Sequence, residues 1–281
     1  MKADCHIHMV LDGVDWKASI ARGIQDGYIH NILKDYQAKG YTYLRDGGDR
    51  WGGGNRARQL ADQYSITYRT PLAPLCLRGR YGSFIGLSYE TPREYAQLVV
   101  RQRTAGADFV KIMVSGLMDF DRFGVLTEPG LESALIAELI HIAHEEGMAV
   151  MAHCNGARTA QAAALAGVDS IEHGAYLDED ALLAMKENQV VWVPTLSTIG
   201  NLQGKGRFGE DAVKQILESA LQNVEFYREI GGLLALGSDA GAWAVPHGGR
   251  TEEGWLELAG VGEAELIRGT QTIIQKFKTD R

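Results

Sequence analysis

Two histidines stand one residue apart at the start of the chain, in "KADCHIH". In a strand alternate side chains leave on one face, so Asp4, His6 and His8 are expected to point one way and Cys5, Ile7 and Met9 the other. Two converging imidazoles suggest a metal site, yet a lone pair is weak evidence, because hydrogen-bonded structural histidines are the commoner case. More ligand types follow: Lys111 in "DFVKIMV", His153 in "AVMAHCNG", His173 in "VDSIEHG" and Asp239 in "LLALGSDAG". Singly, His153 and His173 read as structural histidines and Lys111 as a salt-bridged lysine. Jointly the six residues supply four imidazoles, an amine and a carboxylate, a set able to hold divalent cations and move a proton.

Lys111 is the most informative of them. Alternation places Phe109, Lys111 and Met113 on one face and Val110 and Ile112 on the other, with both faces buried. An unpaired ammonium there is very costly. Nearby cations would lower its pKa, and the neutral amine could add carbon dioxide to become an anionic carbamate able to bridge two metals. The remaining histidines carry less. His141 and His144 lie in the helical stretch "IAELIHIAHEEG", His30 lies in no motif, and His247 in "AVPHGGR" is a loop residue facing either substrate or solvent. Glu172 is expected to point away from His173, into a layer of helices.

The elements that must position these residues recur in one pattern: a helical stretch, a glycine, then a short apolar strand ending in polar residues. It is seen in "QAKGYTYLRDGG", "RTAGADFVKIMVSG", "HEEGMAVMAHCNG", "ALAGVDSIEHG" and "EIGGLLALGSDAG". Gly40, Gly106, Gly147, Gly167 and Gly231 are the expected left-handed helix caps, and each fixes where a strand begins. Thr91, Pro92 and Glu94 in "TPREYAQLVV" read as an N-cap, a first-turn proline and a capping-box glutamate. With "DCHIHMV", "ITYRTPLAP" and "VVWVPTL" the strands number about eight, spaced by helices, which predicts an α/β fold: a single-domain (β/α)8 TIM-like barrel spanning residues 1–281. A doubly wound open sheet is the rival, but neither GxGxxG nor GxxxxGK[ST] is present. In a barrel, chemistry sits at the C-terminal strand ends, where the six residues fall.

Composition bounds the partners. The chain has 281 residues, 45% hydrophobic and 23% charged, with a formal net charge of −8, which argues against nucleic-acid and anionic-membrane surfaces and favours a small molecule. No run approaches the roughly 18 apolar residues of a membrane span and no signal-like h-region opens the chain, so a cytoplasmic protein is expected. Cys5, Cys76 and Cys154 are scattered and odd in number, fitting reduced thiols rather than a disulfide framework or a cysteine zinc site.

Taken together, "DCHIH", "GYTYLRDGG", "GADFVKIMVSG", "EEGMAVMAHCNGARTAQAAALAGVDSIEHGAYLDEDALLAM", "VVWVPTLST", "ALGSDAG" and "ELAGVGEAELIRGTQ" resemble the amidohydrolase superfamily, in the branch of metal-dependent Xaa-Pro and Xaa-Arg dipeptidases and imidazolonepropionases. The resemblance implies that His6 and His8 bind one metal with Asp239, that His153 and His173 bind a second, and that N6-carboxylysine at Lys111 bridges them. It also implies zinc as the expected metal, a shared hydroxide as nucleophile, and Asp239 as the group that accepts its proton and hands it to the leaving nitrogen. Members of this family usually carry a small β-sandwich; its absence is expected here, and with it a homo-oligomer that covers the bared surface.

The expected substrate follows from cations in the roofing loops: Arg78 and Arg80 after the third strand, Arg122 after the fourth, Lys205 and Arg207 after the seventh, and Arg250 after the eighth, with His247 nearby. In an acidic chain they hint at an anionic substrate, since arginine suits carboxylates. The expected activity is hydrolysis of an amide bond in an N-acyl amino acid, dipeptide or cyclic amide. Esters, lactones and phosphotriesters are the enzymatic alternative; deamination is disfavoured because "HCNG" stands where an HxxE would be required. A metal-binding scaffold without catalysis is the non-enzyme alternative.

Overall fold

Every apolar run that follows a capping glycine forms a strand in the computed structural model, which describes residues 2–278. The strands are β1 (Lys2–Ile7), β2 (Tyr41–Asp46), β3 (Thr67–Arg69), β4 (Leu75–Leu77), β5 (Leu87–Tyr89), β6 (Val110–Met113), β7 (Val150–Cys154), β8 (Ser170–His173), β9 (Val191–Val193) and β10 (Leu233–Leu234). Between and after them run α1 (Trp16–Arg22), α2 (Asp26–Ala38), α3 (Gly53–Ala61), α4 (Pro92–Ala105), α5 (Ser133–Glu145), α6 (Ala157–Leu165), α7 (Glu179–Glu187), α8 (Ser197–Gly200), α9 (Glu210–Glu229), α10 (Thr251–Leu258) and α11 (Glu263–Lys276). The start of α4 matches its N-cap and proline: Thr91 Oγ1 accepts from Glu94 N at 3.2 Å, and Pro92 fills the first helical position, while the Glu94 carboxylate accepts from Glu90 N at 2.7 Å rather than from Thr91 N as a capping box would. At its end Gly106 has φ 93°, a conformation that costs glycine nothing and other residues a Cβ clash.

All strand pairings in the two sheets are parallel, in the orders β1-β2-β3 and β10-β9-β8-β7-β6-β4-β5. Backbone hydrogen bonds join the sheets into a ring. On one side Cys5 N donates to Leu236 O at 2.8 Å, Asp239 N to His6 O at 2.7 Å and His8 N to Ala240 O at 2.7 Å. On the other, the third barrel strand is split: β3 pairs with β2, β4 pairs with β6, and Asp108 N donates to Thr70 O at 2.9 Å between them. The split follows from Pro71 and Pro74, which have no N–H to give a ladder. The ring is the (β/α)8 arrangement that the element pattern predicts.

Two apolar layers hold it. Outside, helices pack on the strands through Ile136, Leu139 and Ile140 of α5, Ala160 and Ala163 of α6, and Val213, Ile216 and Val224 of α9. Inside, Ala3, Cys5, Tyr43, Phe109, Met151, Val191, Val193 and Ala235 fill the lower barrel, closed from below by Ile273 and Phe277. Phe277 meets Phe109 edge-on at 5.2 Å. Filling the bottom leaves the upper strand ends as the open mouth. No helix among the described residues is long and apolar enough to cross a membrane.

Candidate metal centre

The six ligand-type residues come from five strand ends and meet. Ring centroids of His6 and His8 are 5.4 Å apart, His6 and His173 5.1 Å, and His153 and His173 4.6 Å. Asp239 Oδ1 is 3.5 Å from Nε2 of His6 and 3.5 Å from Nε2 of His8. His6, His8 and Asp239 each offer one ligand atom, all within 4.8 Å of one another. Lys111 is 1% exposed and its charge acts on His6, His8, His153, His173 and Asp239 alike.

Backbone irregularities aim these side chains. β1 carries one residue more than β2 between its pairs Asp4–Leu44 and Ile7–Asp46. An extra residue bends a strand and breaks alternation. Cys5 therefore lies in the barrel interior, while Asp4 turns to Ser238, accepting from its hydroxyl at 2.6 Å and its N–H at 2.9 Å. Asp4 thus does not share the face of His6 and His8, contrary to simple alternation. At the other strand ends, His173, Thr195 and Asp239 have φ of 68°, 50° and 58°. Left-handed backbone is uncommon for such residues and clusters at functional sites.

His173 reaches the centre through that left-handed turn, which corrects the expectation for its neighbour. Glu172 pairs in register with His153 and points inward, not into the helix layer. Its Oε2 accepts from His6 Nδ1 at 2.8 Å, and its Oε1 accepts from Arg45 Nη2 at 2.8 Å and Ser170 Oγ at 2.6 Å.

The hydrogen bonds on the far side of each ring decide what the near side offers. With Nδ1–H of His6 given to a carboxylate, Nε2 keeps its lone pair. His153 Nε2–H donates to Gly116 O at 3.1 Å, which leaves Nδ1; His173 Nδ1 bonds Thr195 Oγ1 at 2.7 Å, which leaves Nε2. His6 Nε2, His8 Nδ1, Lys111 Nζ and Asp239 Oδ1 are buried polar atoms without a hydrogen-bond partner among the described residues. An orphaned buried polar atom costs about 1–3 kcal/mol; His8 turns Nε2 rather than Nδ1 to Asp239, so the orphans gathered at the site are His6 Nε2, Lys111 Nζ and Asp239 Oδ1, and three together call for an occupant. The donor set suits a divalent cation: neutral imidazole nitrogens, a carboxylate and an amine able to become a carbamate.

Burial sets the charges. It pushes His8 and His153 down to about 3 and holds His6 and His173 well below the usual imidazole range, with neighbouring positive groups adding to the shift. Neutral imidazole is the form that binds metal. Burial likewise lowers Lys111 and raises Asp239.

The loop cations are less unified. Exposed Arg78 and Arg122 are engaged by Glu90 at 2.7 Å and Asp119 at 2.5 Å. Arg250 pairs with Glu253 at 2.9 Å, and Glu253 also binds Lys2, the first residue of β1. That contact ties Arg250 to the end of β1 opposite the histidines, away from the roof where the loop order had put it. Lys205 is exposed and Arg80 half-buried. Arg207 lies over the rings of Trp243 at 4.4 Å and Phe208 at 5.4 Å. Phe208 packs on Phe120 at 5.1 Å, and Gly209 N donates to Asp121 at 2.8 Å, so the loops after β6 and β9 are clasped. His247 is half-buried: its Nε2–H donates to Leu11 O at 2.8 Å and its ring meets Tyr36.

Sequence reasoning missed Glu172 as a site residue, and with it Arg45, Asn155, Thr195 and Tyr81, whose ring lies 4.6 Å from that of His153. A signal existed for two of them: Arg45 and Glu172 are opposite charges, each within a buried parallel strand.

A model of the amidohydrolase family matches residues 4–241. Ochratoxinase of Aspergillus niger is 28% identical over 259 residues, 85% of this chain and 51% of that protein. An uncharacterised Mycobacterium tuberculosis protein is 27% identical over 180 residues, 62% of this chain and 48% of that one. The chain thus spans about half the length of the curated relatives it matches. Among solved structures, a Xaa-Pro dipeptidase with methionine bound in its active site superposes with a TM-score of 0.80 at 20% identity, over 98% of this chain and 74% of that one. Ochratoxinase superposes at 0.75 and 20% identity, over 95% and 68%.

Proposed function

The chain belongs to the amidohydrolase family, and from that premise we propose that it hydrolyses the amide C–N bond of a small anionic substrate, such as an N-acyl amino acid, dipeptide or cyclic amide. Two divalent cations, zinc the expected metal, would be held by His6, His8 and Asp239 on one side and His153 and His173 on the other, with carboxylated Lys111 shared, and would supply an activated water and polarise the scissile carbonyl. Asp239 handles the proton: its carboxylate accepts it from the attacking water and delivers it to the leaving nitrogen. The bonds to Glu172 and to Gly116 O, both acceptors, fix the tautomers of His6 and His153, and that to Thr195 orients the His173 ring, so little reorganisation accompanies the reaction.

The observation that supports this reading most is the gathering of three partnerless buried atoms, His6 Nε2, Lys111 Nζ and Asp239 Oδ1, with His8 Nε2 3.5 Å from Asp239, at one barrel mouth. Elemental analysis of the purified protein, followed by assay against parallel amide and ester panels before and after chelation, tests it. The expected result is about two metals per chain, amide turnover, loss on chelation and recovery on metal addition. Full amide turnover in the chelated protein would overturn the metal role; esters or lactones alone would move the reaction class; neither metal nor turnover would leave a scaffold.

A further inference from the structure

The four site imidazoles are not equivalent. His153 leans on a backbone carbonyl and His173 on a neutral hydroxyl, and His8 Nδ1 has no hydrogen-bond partner among the described residues. Only His6, of these four, has a carboxylate on its far nitrogen. We propose that Glu172, clamped by Arg45, is a positioning residue that fixes the tautomer of His6 and sets the metal affinity of the half-site containing it.

The proton directions in this network run one way. Arg45 Nε donates to Cys5 O at 2.7 Å, Nη1 to Ser170 Oγ at 2.9 Å and Nη2 to Glu172 Oε1 at 2.8 Å. Ser170 Oγ then donates to Glu172 Oε1, and His6 Nδ1 to Glu172 Oε2. Apart from Arg45 Nη1, which reaches the carboxylate through Ser170, every donor named ends on the carboxylate or on the carbonyl one residue before His6. If His6 moved its proton to Nε2, a lone pair on Nδ1 would face Glu172 Oε2, an uncompensated repulsion in a site where both side chains are at most 1% exposed. Nε2 is therefore the nitrogen left to bind. A carboxylate on the far nitrogen also raises the basicity of the binding one, which a carbonyl or hydroxyl does less.

Arg45 makes the arrangement affordable and rigid. It is fully buried, its guanidinium lies 4.6 Å from the Phe277 ring, and it forms a 2.8 Å ion pair with Glu172 in the barrel interior. A single clamp grips both the backbone leading into His6, through Cys5 O, and the carboxylate on its ring. The packed floor of the barrel is in this way connected to one half of the candidate centre.

This inference rests on the metal reading above, and its test separates the two. Glu172→Gln keeps a carbonyl acceptor for His6 but removes the charge, leaving Arg45 unpaired. The double variant Arg45→Met/Glu172→Gln removes both charges together, which avoids a lone buried ion and protects folding. Zinc competition against a chromophoric chelator measures the two site affinities, and thermal melting of the metal-free proteins reports the fold. The expected result is that one of the two affinities falls by about 10–100-fold in both variants while the other is unchanged, whatever the melting temperatures do. Both affinities unchanged, or both weakened equally, would overturn the assignment of Glu172. A wild-type protein that binds no zinc would instead overturn the metal reading, and this inference with it.

Discussion

Asp239 Oδ1 stands 3.5 Å from His8 Nε2, beyond hydrogen-bond range and yet fully buried between imidazoles. Ligand atoms at about 2.0–2.2 Å from a tetrahedral zinc lie about 3.3–3.6 Å from each other, so the spacing is that of two ligands on one cation. The same 3.5 Å separates Asp239 from His6 Nε2.

Asp239 is therefore asked both to bind and to carry a proton. Asp239→Asn keeps the size and removes the basicity. We expect kcat at saturating zinc to fall by about 10²–10⁴, the usual contribution of a general acid–base group. Steady-state kinetics with parallel metal analysis checks this, and a variant within threefold of wild type at equal metal content would refute the proton role.

Two glycines separate metal binding from folding. A Cβ on residue 47 would lie 2.4 Å from His8 Cε1, the tip of a side chain that can swing away, whereas one on residue 237 would meet Val193 Cγ1 at 2.4 Å and the His6 backbone N at 2.9 Å. Gly47→Ala should weaken metal binding with little change in metal-free stability. Gly237→Ala should cost about 1–3 kcal/mol as an overpacked core does. Urea unfolding of both metal-free variants decides, and the reverse order would be inconsistent with the packing.

His247 predicts a pH dependence. Burial pushes it down to about 4, while the unfolded chain titrates near the ordinary value of 6.5. Between those values the unfolded state binds the proton and the folded state does not, so stability falls as pH drops from 6.5 to 4 and this contribution is constant outside that window. Relative to His247→Gln, wild type should lose on the order of 1–3 kcal/mol across the interval, read from denaturant midpoints at each pH. A flat difference between the two proteins would contradict a neutral buried imidazole.

Arg207 is stacked on Trp243 and Phe208, whereas Arg78, Arg122 and Arg250 each have a carboxylate partner. For a carboxylate-bearing substrate, Arg207→Ala should raise KM about tenfold or more with kcat little changed, since a charged hydrogen bond is worth about 1.5–3 kcal/mol. Arg78→Ala should leave both constants near wild type. Equal KM values for the two variants would remove Arg207 from substrate recognition.

Much of the ring was legible in the chain. Glycine caps and short apolar runs mark helix ends and strand starts, because a left-handed cap and a buried parallel strand each restrict residue type strongly. Pro71 and Pro74 mark the broken third strand as plainly once their missing N–H groups are considered. The six ligand-type residues stood out because charged or ligating side chains are rare at such positions. Orientation was less legible: one extra residue in β1 turned Asp4 away from His6, and the left-handed backbone at His173 let two successive residues, Glu172 and His173, both serve the barrel interior.

By itself the sequence determined the strand and helix order, the residues with metal-binding chemistry and the family to which the chain belongs, because these depend on local propensity, spacing and residue type. Tertiary structure alone decided which imidazole leans on a carboxylate, that Arg45 is the cation neutralising Glu172, and that Arg250 lies at the far end of β1. Those facts depend on contacts between residues as distant in the chain as His6 and Glu172, where register and local backbone twists, rather than period, choose the neighbour.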